Sequence, residues 1–255
     1  MAAGGGIAKR LYGQCVKRAG DNIVKDARIG LGYAGALLSN GSLGLAALLR
    51  AELQTGCSLL PYAGRVGGSS VLSILEFLLP GTDIVEKTVG LAVANALINK
   101  DAGGEEGDAV KLMKLGPDDR VAMVGFFGPL VERIGATGAR LEIIERDPSR
   151  LPPGREKRIN AVPTDATVVI ITATSIINGT IDDVLDSLEK PRHVALLGPS
   201  TPLSWEVFAG TPVTHLGGAV PRDTGSILKI ISEGGGTPAL RPYLRFVNLL
   251  RGKTD

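Results

Sequence analysis

Three short stretches carry the groups that could do chemistry. Gly125-Phe126-Phe127-Gly128-Pro129, Thr174 to Thr180 (TSIINGT) and Gly198-Pro199-Ser200-Thr201-Pro202 each follow an apolar run. They offer exposed backbone NH groups, hydroxyls and an amide. When the strand ends of one parallel sheet bring such groups to a common edge, they bind an anionic or carbonyl oxygen. Helix N-termini at that edge favour negative charge as well. Glu145 closes the run Arg140 to Arg146, twenty positions after Gly125, where dinucleotide folds place a ribose-binding acid. GFFGPL is not GxGxxG, however, and Phe127 stands where backbone must approach a pyrophosphate, so ordinary NAD binding is rejected. A nucleoside, a methyl-donor-like cofactor or a flat heteroaromatic ligand stays open, and the cofactor is unknown. Glu145 is the candidate acceptor or base, with a surface pairing to Arg140 or Arg146 as the competing explanation. For Asn178-Gly179-Thr180 the competing explanation is a turn and a helix N-cap.

Soft metal ligands are sparse. Cys15, Cys57, His193 and His215 show neither CxxC nor HxxxH spacing, so no residue set is assigned to a metal. His193 reads as a solvated strand start and His215 as a strand-end residue with a local hydrogen bond. No Ser-His-Asp order or P-loop is present.

These stretches need a scaffold. Val168 to Ile171 are all β-branched and uncharged, as in a strand buried on both faces of a parallel sheet. Strands are also expected at 121–127, 140–146, 193–197 and 213–216, and helices at 129–137, 181–190, 203–209 and 225–233. Strands alternating with helices imply a doubly wound sheet with right-handed crossovers. Ahead of it, 7–20 reads as a helix and 27–50 as a hairpin turning at Asn40-Gly41. The glycines at 30, 32, 35 and 44 invite close approach of a neighbouring backbone. A short helix is expected over 69–79, and a second over 84–100 behind a capping box of Asp83 and Glu86. Asn95, among small apolar neighbours on that second helix, either bonds a backbone group in the core or faces a cleft. Residues 101–119 read as a linker, 147–160 as a Pro- and Arg-rich loop, and 241–255 show no assignable pattern.

Composition narrows the class of partner. The 28 basic and 26 acidic residues nearly cancel, so nothing points to nucleic acid or an anionic membrane. The apolar runs are too short to span a bilayer, and no signal peptide opens the chain. A cytoplasmic protein is expected, with a homo-oligomer left open. Only two glutamines, Gln14 and Gln54, occur, a weak thermophilic hint.

EKTVGLAVANAL (86–97), VGFFGPLV (124–131), ITATSIINGTID (171–182), LLGPSTPL (196–203) and LGGAVPRD (216–223) together resemble the putative heavy-metal chelation family, a domain of unknown function. The resemblance covers nearly the whole chain. It implies an α/β protein: an enolase-N-terminal-like α+β domain (1–115), then a Rossmann-like doubly wound parallel sheet (116–255), with a cleft between them. Only the shape of the first domain is enolase-like, since the enolase barrel is absent. The resemblance also implies condensation or hydrolysis of a small heteroaromatic or chelator-like molecule. The matched positions are Asn95, Gly125, Glu145, Thr174, Asn178, Gly198, Ser200 and Thr201. Two functions follow as expectations: a small-molecule enzyme with Glu145 as base, or a non-catalytic carrier or sensor of a small anionic or metal-chelating ligand.

Overall fold

The computed structural model describes residues 6–54, 56, 59–147, 150–151 and 161–252; Cys57 and most of the 147–160 loop lie outside them. The first part of the chain builds helix α1 (Ile7–Ala19), a three-stranded antiparallel meander and two further helices. The meander comprises β1 (Val24–Ile29), β2 (Tyr33–Leu38) and β3 (Leu43–Ala47), and Asn40-Gly41 forms the β2–β3 turn with Gly41 at φ 83°. The expected single hairpin is therefore a three-strand sheet, because Gly30 to Gly32 makes a second reversal ahead of it.

Helices α2 (Val71–Leu75) and α3 (Ile84–Ile98) follow. Both halves of the Asp83–Glu86 capping box are formed. Nearly all of α3 is buried, with polar Thr88 and Asn95 among its covered residues. It lies so close to β3 that a Cβ on Gly44 would sit 2.0 Å from the Ala92 carbonyl oxygen and 2.2 Å from the Ala96 nitrogen. Gly30 is equally confined, since a Cβ there would sit 1.9 Å from the Ile231 carbonyl oxygen. The small residues are thus where two backbones meet.

The larger sheet has seven strands: β4 (Glu105–Glu106), β5 (Arg120–Val124), β6 (Arg140–Ile144), β7 (Val168–Thr172), β8 (His193–Leu197), β9 (His215–Pro221) and β10 (Leu244–Leu250). Their spatial order is β4-β10-β9-β8-β7-β5-β6. β6, β5, β7, β8 and β9 are mutually parallel, while β10 and β4 add on antiparallel. Strand order reverses between β5 and β7, the switch point at whose carboxyl edge such folds hold ligands. Val169 and Ile171 of β7 face α1 and α3, whereas Val168 and Ile170 face α4 (Ala109–Met113) and α5 (Gly128–Gly135). The remaining helices are α6 (Ile181–Asp186), α7 (Thr224–Ser232) and α8 (Thr237–Leu240).

Three expectations need correction. The segment read as a linker carries β4 and α4, which pair with β10 and pack on the larger sheet. Leu244–Leu250 of the unassigned tail is β10, behind a 3-10 turn at Arg241–Tyr243. Residues 203–209 form turns rather than a helix, as Pro202 and Ser204 leave too short a run to propagate one. No helix among the described residues is long and apolar enough to cross a membrane.

Candidate functional site

A cleft of about 1610 Å3 opens where β5, β7 and β8 end and the first part of the chain leans over that edge. Its volume exceeds the roughly 300–1,000 Å3 usual for one small ligand. Glu145, Thr174, Gly198 and Ser200 line it; Asn95, Gly125, Asn178 and Thr201 do not.

Those four absentees have structural tasks. Asn95 Nδ2 donates to the carbonyl oxygens of Leu45 (2.8 Å) and Ser200 (3.0 Å), tying α3 to β3 and to the loop after β8. Asn99, one turn on, donates to the Thr201 carbonyl at 2.9 Å and accepts from the Leu203 nitrogen at 2.8 Å. Asn95 Oδ1 and the Thr201 hydroxyl are buried without a partner among the described residues. Gly125 holds φ 84°, and a Cβ there would meet Thr172 Cγ2 at 2.4 Å, so no other residue fits the switch point. Asn178 is not the cap of α6, a position held by Thr180. Its oxygen accepts from the Thr180 hydroxyl at 2.8 Å, and its nitrogen donates to Glu52 Oε1 at 3.1 Å.

Glu145 sits at the cleft wall with both oxygens engaged. Oε2 accepts from the Phe126 nitrogen (3.0 Å) and pairs with Arg150 (3.0 Å); Oε1 accepts from the Asp147 nitrogen (3.1 Å). In a dinucleotide fold the first strand-to-helix turn offers such NH groups to a phosphate. Here the protein's own carboxylate takes the Phe126 nitrogen, and the Phe127 nitrogen points at Met123 Sδ, 3.5 Å away. Phosphate binding at this turn is blocked from within. The start of α1 is likewise filled by Asp182, which accepts from the Ile7 nitrogen at 2.9 Å.

Ser200 is a wall residue and also a strut, its hydroxyl accepting from the Ala47 nitrogen at 2.8 Å. Thr174 and Thr172 hydroxyls bond each other at 3.0 Å where β7 turns into a 3-10 turn. The Tyr33 hydroxyl meets that of Thr237 at 2.7 Å, and burial pushes its phenol above the ordinary value of 10.

A family model described as "Putative heavy-metal chelation" matches residues 108–250, and a second of the same description matches residues 12–98. The chain belongs to that family. A crystal structure of a chelation-family protein of unknown function from Pyrococcus horikoshii superposes with a TM-score of 0.82 at 22% identity, covering 96% of this chain and 99% of that one. One from Desulfitobacterium hafniense, also of unknown function, gives 0.79 at 19% identity, covering 96% and 98%. An uncharacterized protein of Methanocaldococcus jannaschii is 32% identical over 143 residues, 52% of this chain and 54% of that protein. The chain thus spans about half the length of the curated relative it matches.

The cleft does not fit a resident heavy metal. Among the described residues no group of three or more His, Cys, Asp and Glu could hold one. The cleft's own donors are carboxylates, hydroxyls and amide groups, the oxygen set that suits hard cations rather than soft ones. Cys15 lies buried in α1, where desolvation pushes its thiol up to about 12, so it offers no thiolate at neutral pH.

Sequence reasoning missed the cleft's guanidinium groups. Arg50, Arg133, Arg146, Arg150 and Arg241 all line it. Arg133 pairs with Asp108 and Arg150 with Glu145, and Arg241 lies over the Phe246 ring at 5.0 Å. Among the described residues Arg50 and Arg146 have no carboxylate partner. The arginine-dense stretch from Arg146 onward, read only as a Pro- and Arg-rich loop, was the available signal.

Proposed function

We propose that the cleft binds a small, flat, anionic molecule of the metal-chelating kind, and that binding rather than turnover is its first task. The observation that carries this is the imbalance along its walls. The four wall carboxylates, Glu52, Asp108, Glu145 and Asp147, are all engaged, while among the described residues Arg50, Arg146 and Arg241 have no carboxylate partner. Guanidinium forks match carboxylates in two-point geometry, and the Phe126, Phe127 and Phe246 rings offer surfaces for a heteroaromatic plane. A metal then reaches the cleft as part of the ligand. The two units flanking the cleft are taken as 1–115 and 116–255, with 105–113 as the piece that crosses and docks on the larger sheet.

Turnover, by condensation or hydrolysis of such a compound, is the second reading. It is favoured by the size of the cleft, which leaves room for two reactants, and it requires Glu145 to release Arg150. The test is mass spectrometry of small molecules retained after gentle purification, followed by titration with pyridine-2,6-dicarboxylate as a probe. Saturable binding weakened by Arg146→Ala supports the reading. Binding indifferent to Arg50, Arg146 and Arg241 overturns it. A chemical change in a retained compound that stops in Glu145→Gln supports the enzyme.

A further inference from the structure

The two histidines, 22 positions apart in the chain, become neighbours across two strands. β8 and β9 pair in parallel with Ala195 opposite His215, so His193 projects from the same face two residues earlier. Its Nε2 lies 3.3 Å from His215 Nδ1. In such a hydrogen bond one ring nitrogen directs its N–H at the lone pair of the other, so the two nitrogens face each other.

The outer nitrogens are held by oxygen. His215 Nε2 is 2.9 Å from Asn248 Oδ1, and His193 Nδ1 is 3.2 Å from the Thr214 hydroxyl. Asn248 cannot be turned round, because its Nδ2 donates to the carbonyls of Glu105 (3.2 Å) and Gly107 (3.3 Å). His215 therefore carries its proton on Nε2 and presents a bare Nδ1 to His193. Gly217 makes room for this, since a Cβ there would come 3.2 Å from Asn248 Oδ1.

We infer that His193 Nε2 and His215 Nδ1 form a two-coordinate site for a soft monovalent d10 cation, Cu+ or Ag+; neither ring lines the cleft, which adjoins the pair at Gly217 and Asn248. Metal-bound imidazoles ordinarily donate their other ring NH to an oxygen, and both oxygens are already in place. Binding needs no net loss of protons: the His193 proton moves from Nε2 to Nδ1 and is donated to Thr214. That hydroxyl can redirect its own proton to the Val194 carbonyl, 3.3 Å away. With metal–imidazole bonds of about 2.1 Å, the nitrogens must separate by on the order of 1 Å more. His193 opens a strand and is only half-buried, so it can move, and it gives the cation a way in.

Both rings are neutral at neutral pH, each keeping its single ring proton. Burial and the facing ring hold His193 down at about 4, and burial lowers His215 too. The adjacent Arg192 is neutralised by its two-point pairing with Asp119. Two neutral nitrogens and no carboxylate suit a singly charged soft ion, whereas zinc would lack its usual four ligands.

The experiment uses the full chain with Cys15→Ala and Cys57→Ala, titrated with Ag+ in chloride-free buffer. Should Cys15→Ala fail to fold, Cys15→Ser beside Cys57→Ala serves, because Ag+ would displace the proton of any thiol left in the chain. One equivalent is expected to bind, at least 100-fold more weakly in His193→Gln. Ring 15N spectra should move the His193 proton from Nε2 to Nδ1, a change that a purely structural pair would not show. Absence of one-to-one binding, binding that survives His193→Gln, or an unmoved ring proton each overturns the site.

Discussion

Where β5 and β8 begin, Asp119 accepts from Arg192 Nε (2.9 Å) and Nη2 (2.7 Å), from the Thr167 hydroxyl (2.7 Å) and from the Gly116 nitrogen (3.0 Å). At the opposite edge, Arg146 and Arg50 line the cleft without a carboxylate partner among the described residues, and the Thr172 and Thr174 hydroxyls bond each other. Both edges draw on Arg, Thr and carboxylates. The difference lies in pairing: one edge closes its polar groups on themselves, and the other leaves cations in excess. The Arg192 guanidinium holds the Asp119 carboxyl far below its ordinary range, whereas Arg50 and Arg146 at the opposite edge have no such carboxylate among the described residues. Residue type therefore does not mark a site; an unspent partner does.

The largest effect that sharpens this contrast is expected from Asp119→Ala. It strands the half-exposed Arg192 and two other donors, and should cost about 3 kcal/mol, a Tm loss of roughly 6–12 °C by thermal melting. Affinity for pyridine-2,6-dicarboxylate should stay unchanged. Next come Arg146→Ala and Arg241→Ala, each expected to weaken that probe about tenfold, or about 1.4 kcal/mol, with Tm moving little. An Arg146→Ala protein that melts early but binds normally would erase the distinction between the edges.

A pH titration probes the closed edge alone. His193 and His215 have folded values below the ordinary 6.5, so they favour the folded state fully above 6.5. That contribution should fade as pH drops from 6.5 through about 4, where His193 protonates in the folded chain. His193→Gln should flatten the slope in denaturant melts across that window.

The smallest effect is expected from Asn178→Asp, which sets a carboxylate against Glu52 and removes one donor. A loss of about 1 kcal/mol is expected in chemical denaturation, without change in probe affinity. Asn178 was singled out from sequence as a ligand group, and the Glu52 contact explains how that misled: an amide bonded to protein and one offered to a ligand look the same in a string of letters.

The sheet itself was easier to read. Val168–Ile171 and His193–Leu197 are apolar enough on both faces to declare buried parallel strands, and Asp83 with Glu86 marks the start of α3. β10 escaped because LRFVNLL at the end of the chain has no regular period, and its pairing partners lie more than twenty residues away. The place of Glu145, Thr174, Gly198 and Ser200 on the cleft wall was legible because strand ends of one sheet must share an edge. Asn95 and Thr201 were misplaced because the depth of α3 beneath the loop after β8 depends on Gly44, a packing fact that spacing does not encode. The histidine pair was invisible for a related reason, since only the β8–β9 register brings positions 193 and 215 together.

The most direct test of the cleft is an amide 1H–15N map of the whole chain recorded while pyridine-2,6-dicarboxylate is added. The account predicts shifts at Phe126 to Gly128, Arg146, Thr172 to Thr174, Gly198 to Ser200 and Arg241, with Asp119, Thr167, Arg192 and Thr214 unmoved. Shifts confined to the Asp119–Arg192 edge, or no saturable shifts at all, would contradict it.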